Sequence, residues 1–354
     1  MSDQTASASS DVMLTAPTYN KLGYAFVGWN TQENGFGTTY QADETITTPS
    51  TLNSEGLQLY AKWLPSAGEM QNWSGCSTLG EHQTVALTDN RDGKTYAVRK
   101  LKDGNCWMVN NLNLELANFA GTNNLTSDNT DLSTSRTDLT DLGNGKKAWD
   151  PSASTVAKYQ SGETFSDFTL RVLGQSQPAQ FQSEDQTGYW WGSKKSDDGN
   201  YTDLDSVTNN TNAEIPRSYN AYEEGFYNWY AATAESGTYS MSNASVSDSI
   251  CPKGWQLPIN GNVNKSYYRL IETTYQISSA SQLSNNPLSI VKGGFYDYVT
   301  GNYAGIRRSG SYWTSTAFTN NSAYNLYFIN DETVGTTASG HKPYGNSVRC
   351  VNRD

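Results

Sequence analysis

Four cysteines, Cys76, Cys106, Cys251 and Cys350, punctuate this chain of 354 residues and constrain its fold more than any other feature. No two are spaced as Cys-x-x-Cys, and neither His82 nor His341 completes a metal-ligand spacing with them. An even count without metal spacing points to two disulfides, and so to an oxidising compartment. Four cysteines allow three pairings. Cys76–Cys106 and Cys251–Cys350 are favoured because each closes what reads as one structural unit; the competing reading is four reduced, buried thiols. The run from Cys251 to Cys350 is rich in Tyr, Trp, Gly, Ser and Asn, a texture closer to a stapled extracellular binding module than to an enzyme.

Only 36% of residues are hydrophobic, yet 12% are aromatic, with 23 Tyr and 10 Trp. Tyrosine buries its ring while its hydroxyl stays wet, so this balance suggests half-buried sheets and interaction surfaces. The formal net charge of −11 repels phosphate backbones and anionic lipids, which makes nucleic acid and membrane surfaces poor partners. No apolar run approaches the roughly 20 residues needed to cross a bilayer as a helix. Met1-Ser2-Asp3-Gln4-Thr5 lacks the basic-then-apolar pattern of a signal peptide.

Residues 12–64 alternate with strand-like period in three runs, Val12–Thr15, Gly23–Trp29 and Leu57–Trp63, broken by Gly, Asn and Asp clusters. Gly-Tyr-x-Phe-x-Gly-Trp (from Gly23) followed by Leu-Tyr-Ala-Lys-Trp (from Leu59) closely resembles the Listeria–Bacteroides, internalin B-type, repeat. The resemblance covers residues 1–65 and implies a small β-grasp-like module of a bacterial surface protein. The family pattern opens with a further strand, missing here, and a module without it would expose an unpaired edge. Met1 is therefore expected to be internal, with that strand and a signal peptide upstream.

After Ser66–Glu69, which reads as a linker, Thr84–Thr88 and Lys94–Leu101 read as strands joined by the turn Asp89-Asn90-Arg91-Asp92-Gly93. A third strand starts at Cys106. Asn264–Glu272 carries apolar residues at helical spacing, and residues 311–316, 323–329 and 346–352 alternate as three more strands. Residues 120–215 are polar and turn-rich with aromatic islands at Phe165, Phe168, Tyr189, Trp190 and Trp191, and read as a long anchored insertion. Asp-x-Arg-Asp-Gly-x-x-Tyr (from Asp89), Cys-Trp-Met-x-x-Asn-Leu (from Cys106), Tyr-Asn-Trp-Tyr-Ala-Ala (from Tyr227), Cys-Pro-Lys-Gly-Trp-Gln-Leu-Pro (from Cys251), Tyr-Trp-Thr-Ser-Thr (from Tyr312) and Val-Arg-Cys-Val (from Val348) together closely resemble the Fibrobacter succinogenes major paralogous domain. That resemblance spans residues 66–354 and implies a C-type-lectin-like scaffold in a surface or secreted setting, without implying an activity. The expected fold class is thus α+β and strand-rich: a β-grasp-like repeat, then a C-type-lectin-like domain with an insertion.

No nucleophile elbow, zincin motif, P-loop or dinucleotide fingerprint occurs. Glu223-Glu224 beside Phe226 and Tyr227 is an adjacent acidic pair of the kind a glycosidase needs, though strand neighbours face opposite sides and a solvated turn is the simpler reading. Asp89 and Asp92 could ligate calcium, but their spacing is not that of an EF-hand loop, so no cofactor is expected. Sugar-binding C-type lectins carry Glu-Pro-Asn or Gln-Pro-Asp and Trp-Asn-Asp; here Asn330-Asp331 follows Ile329, which departs from that pattern. The remaining candidates are Asn320, Asn321, Tyr324, Asn325, Asn330, Asp331, His341 and Tyr344, in a region of Tyr, Asn and Ser such as adaptable paratopes use. The stretches Asn320–Tyr324 and Glu332–Tyr344 read equally as binding surface or as sheet core and turns. The expected function is adhesion to a protein or glycan on a host or neighbouring cell. The competing readings are a polysaccharide-active enzyme, a structural or pilus subunit, and the variable protein of a diversity-generating retroelement.

Overall fold

The computed structural model describes residues 7–18, 21–33, 39–40, 45–48, 56–151, 156–157, 180–181, 193–195, 201–203, 225–284, 288–297, 302–305, 308–329 and 334–354. The protein is strand-rich with few helices. It divides into two compact units, Met1–Ser66 with Ser183–Glu223, and Ala67–Gln182 with Glu224–Asp354.

In the first unit, β1 (Asp11–Met13) pairs antiparallel with β4 (Thr45–Thr47). Strand β2 (Tyr24–Asn30) lies between β3 (Thr39–Tyr40) and the start of β5 (Tyr60–Glu69). Ser66–Glu69, expected as a linker, is thus extended strand. A bulge between Phe26 and Gly28 shifts the β2 register against β5. An extra residue inverts the alternation, so Phe26 and Trp29, three apart, join one core with Leu14, Tyr40 and Ile46. Gly28 takes φ of 132°, a value the bulge can demand of glycine. The Trp29 indole donates to the Thr15 carbonyl at 3.0 Å. The hairpin of β14 (Ser193–Lys195) and β15 (Tyr201–Asp203) also belongs to this unit.

The second unit holds β6 (Thr84–Thr88), β7 (Thr95–Lys100), β8 (Cys106–Met108), β17 (Trp255–Gln256) and β23 (Val351–Asn352), ordered β17-β23-β8-β7-β6. A second sheet is built from β20 (Ser309–Ala317), β21 (Ser322–Ile329) and β22 (Gly335–His341), all antiparallel. The smaller pieces are β9 (Leu125–Thr126), β10 (Thr140–Gly143) and β11 (Lys146–Trp149), then β12 (Val156–Ala157) and β13 (Gln180–Phe181) beside β16 (Phe226–Tyr227), and the hairpin of β18 (Phe295–Asp297) and β19 (Asn302–Ala304). Helix α1 (Trp229–Ala232) is capped by Asn228, whose Oδ1 accepts from the Ala231 amide at 2.9 Å.

Three expectations shift. The helix expected over Asn264–Glu272 is a widened turn at Arg269–Thr274, where the Tyr275 amide reaches back five residues to the Leu270 carbonyl at 3.1 Å. Only Val351–Asn352 of the expected strand 346–352 is a strand, because the preceding residues bond to several neighbours in turn: Asn346 with Tyr227, then Ser347 with Ser311 and Trp313. Residues 125–149, expected as the opening of the insertion, contribute Leu125, Leu132, Leu139 and Trp149 to the main core. The aromatic anchors expected from Phe165 to Trp191 lie outside the described residues.

Cys76 bonds to Cys106 and Cys251 to Cys350, closing loops with separations of 30 and 99 residues. Each thus pins irregular chain to the approach of a central strand. No described helix is long and apolar enough to cross a membrane. On the chain-entropy account the longer loop stabilises by about 4–5 kcal/mol and the shorter by about 3–4 kcal/mol. Replacing both cysteines of a pair by Ser should therefore lower the free energy of unfolding more for Cys251–Cys350 than for Cys76–Cys106. Denaturant titration without reductant checks the order.

Candidate functional site

The residues that carry the sequence motifs of the second unit turn out to hold it together. In the turn after β6, Asp89 pairs with Arg91 at 2.6 Å with both side chains fully buried. The Arg91 guanidinium also donates to the Ile250 carbonyl at 2.7 Å, and Gln71 donates to Asp89 at 2.7 Å. Burial pulls the Asp89 carboxyl upward, but the charge and hydrogen bonds of Arg91 outweigh it and hold its pKa below the ordinary value. The carboxylate is thereby committed to Arg91, and the described residues contain no group of three His, Cys, Asp or Glu placed to hold a metal.

Motif tryptophans are equally committed. Trp229 donates its indole N–H to the Thr314 carbonyl at 3.0 Å, Trp255 to Met70 at 2.8 Å, and Trp313 to Tyr227 at 2.7 Å. Arg349 is buried, donating to Asn111 Oδ1 at 2.8 Å and to the Leu288 carbonyl at 2.7 Å.

Three loops meet at one end of the β20–β22 sheet. The turn from β20 to β21 closes through the Phe318 amide and the Ser322 carbonyl at 2.9 Å. Loop 238–244 packs beside it, with the Asn243 amide on the Phe318 carbonyl at 3.3 Å and the Ala317 amide on the Ala244 carbonyl at 2.8 Å. The exit of β22 joins through the Lys342 amide on the Asn321 carbonyl at 2.9 Å. At this tip Tyr239 is 53% exposed and Phe318 38% exposed. Phe318 packs on Tyr324 with ring centroids 4.9 Å apart. Asn320 and Asn321 are exposed beside them. Segments 236–247, 309–330 and 333–348 together carry a single formally charged side chain, Lys342, in a protein of net charge −11. Lys342 is buried, so the surface that the described residues of these segments present is free of formal charge.

The structure divides the expected site residues. Asn320, Asn321 and Tyr324 gather at the tip. His341 is exposed, stacking on half-buried Tyr344 at 5.6 Å, and Tyr344 meets Phe295 at 5.5 Å. Asn325 is a correction: it is 4% exposed and donates to Ser311 Oγ at 2.8 Å. Tyr324 and Asn325 are strand neighbours, so when the first points outward the second points in. Asn330, Asp331, Glu223 and Glu224 lie outside the described residues. Elsewhere in this unit a pocket of about 130 Å³ is lined by Ser245, Ser247, Asp248, Ser315 and Arg353. Several of its polar groups already have partners: Arg353 holds Asp131 at 2.9 Å, Ser247 holds Asp248 at 2.9 Å, and Ser245 meets Thr316 at 2.7 Å.

Sequence reasoning overlooked Tyr239, Phe318 and Lys342. For Lys342 a signal existed: it is the sole charged residue from 333 to 348. Nothing local marks Tyr239, which reaches the tip through contacts about eighty residues away. No protein-family model, curated protein or solved structure matches the chain.

Removing one partner of a buried ion pair strands the other, at a cost of about 3–5 kcal/mol. Asp89→Ala should destabilise the second unit by that amount, measured by denaturant titration at neutral pH. Because the folded Asp89 pKa is depressed, its contribution is complete above the unfolded value and disappears as pH falls below about 4. Asp89→Asn should accordingly flatten the stability–pH curve in that acid range.

Proposed function

We propose that this protein is a bacterial cell-surface or secreted adhesion protein. Its N-terminal residues 1–65 form a β-grasp-like Listeria–Bacteroides-type repeat, and residues 66–354 form a C-type-lectin-like head of the Fibrobacter major paralogous kind. The sequence motifs quoted above support both assignments. Two disulfides fit an oxidising, extracellular setting.

The observation that carries the binding reading is the charge-free tip around Tyr239, Phe318, Tyr324, Asn320 and Asn321. Aromatic rings offer rigid contact area at low entropic cost, and amides beside them supply adaptable hydrogen bonds. Such a surface suits a ligand of little charge, a glycan or an uncharged patch of protein, recognised by stacking and hydrogen bonding. The motif residues described above are spent on the scaffold, which leaves recognition to the exposed loops of the tip.

Glycan arrays and whole-cell binding with the full chain test the proposal. Saturable binding is expected, weakened roughly tenfold or more by Phe318→Ala or Tyr239→Ala, equivalent to about 1.4 kcal/mol. Raising salt should change it little, because no ionic contact is involved. Absence of saturable binding, or binding indifferent to both substitutions, would sink it.

A further inference from the structure

Lys342 occupies the place a bound cation would take. Its Nζ donates to the backbone carbonyls of Thr238 at 2.8 Å, Met241 at 2.8 Å, Asn320 at 3.0 Å and Tyr239 at 3.3 Å. It also lies 4.8 Å from the centre of the Trp229 ring. Backbone carbonyls converging on one centre are the ligands a protein offers a hard cation, and an aromatic face adds attraction for positive charge. Without a positive charge among them those carbonyls would repel one another, and of the four the Thr238 carbonyl also accepts from the Met241 amide at 3.2 Å. Lysine residues normally find a carboxylate when buried. This one finds none among the described residues, and burial alone draws its pKa down to about 8, so it remains protonated at neutral pH.

The carbonyls belong to the two loops that present the exposed rings: Thr238 to Met241 around Tyr239, and Asn320 two residues after Phe318. The backbone of Lys342 is anchored as well, its amide on the Asn321 carbonyl at 2.9 Å and its carbonyl accepting from the Trp229 amide at 2.8 Å. Trp229 in turn reaches β20 through its indole. One ammonium thus gathers both tip loops and fastens them to the core.

We infer that this carbonyl cage is a monovalent-cation site filled by the chain's own Lys342, and that it fixes the two tip loops in their binding geometry without a metal ion. A tethered cation cannot dissociate, so the loops are preorganised whatever the surrounding salt. The cage stands on its own geometry; its link to ligand binding rests on the adhesion reading above.

The test compares Lys342→Ala and Lys342→Met with the unsubstituted full chain by amide hydrogen exchange at pH 7. Asn243, Ala317 and Ser322 should exchange roughly tenfold faster or more in both variants, while Val85 and Val98 of the β6–β7 hairpin stay protected. Ammonium or potassium chloride should restore slow exchange in Lys342→Ala, where the cage is vacated. Neither should do so in Lys342→Met, where the side chain fills it, and choline chloride at equal ionic strength should restore neither. Unchanged exchange at the tip, or rescue by choline equal to that by ammonium, would overturn the inference. Should both variants fail to fold, reductive methylation of the unsubstituted protein decides instead: Lys342 must resist while exposed lysines react, and its ready modification refutes the cage. Faster tip exchange with undiminished ligand binding would keep the cage and discard the adhesion site.

Discussion

Buried irregular backbone leaves carbonyl oxygens that no sheet ladder pairs, and each needs a donor. The second unit meets this demand with side chains. Indoles of Trp229, Trp255 and Trp313, guanidinium groups of Arg91 and Arg349, and the ammonium of Lys342 all end on main-chain carbonyls of distant segments. These donors are large or charged, and burying them unpaired would cost several kcal/mol each. The pairing therefore works as a set of specific ties: a wrong arrangement leaves the buried donor unsatisfied.

The disulfides act at another level. They shrink the unfolded ensemble and bring irregular chain to the approaches of β8 and β23. The donor ties then choose one arrangement from those the disulfides permit. Together they produce a rigid base for the β20–β22 sheet, whose strand β20 is buried along nearly its whole length. A rigid base lets the tip expose Tyr239 and Phe318 without those rings collapsing into the core. The same logic accounts for a charge-free tip on an acidic protein, since the one charge in those segments is consumed internally.

Much of the ladder structure was legible in the order of residues. Strand β6 coincides with the expected Thr84–Thr88, and β20 and β21 enclose the expected runs, because apolar alternation at period two marks a half-buried strand. Strand β22 was missed: Gly335-Thr336-Thr337-Ala338-Ser339-Gly340-His341 has no such alternation, and its pairing partner is β21 alone among the described strands. The bulge that unites Phe26 with Trp29 is invisible to a period-two count for the same reason, since it breaks the period. Asn325 was misjudged because sequence shows that an amide sits in a polar run, and only strand register tells which face it takes.

The sequence by itself determined the strand-rich character, the cysteines available for two disulfides and the absence of long apolar helical spans. Those follow from composition and short-range pattern, which act through local geometry. Tertiary structure alone decided that the motif tryptophans and arginines are scaffold, that Tyr239 joins Phe318 and Tyr324, and that Lys342 lies inside a ring of carbonyls. A side chain's role depends on which distant backbone reaches it, and that is settled only when the carbonyls of irregular loops have all been brought to their donors.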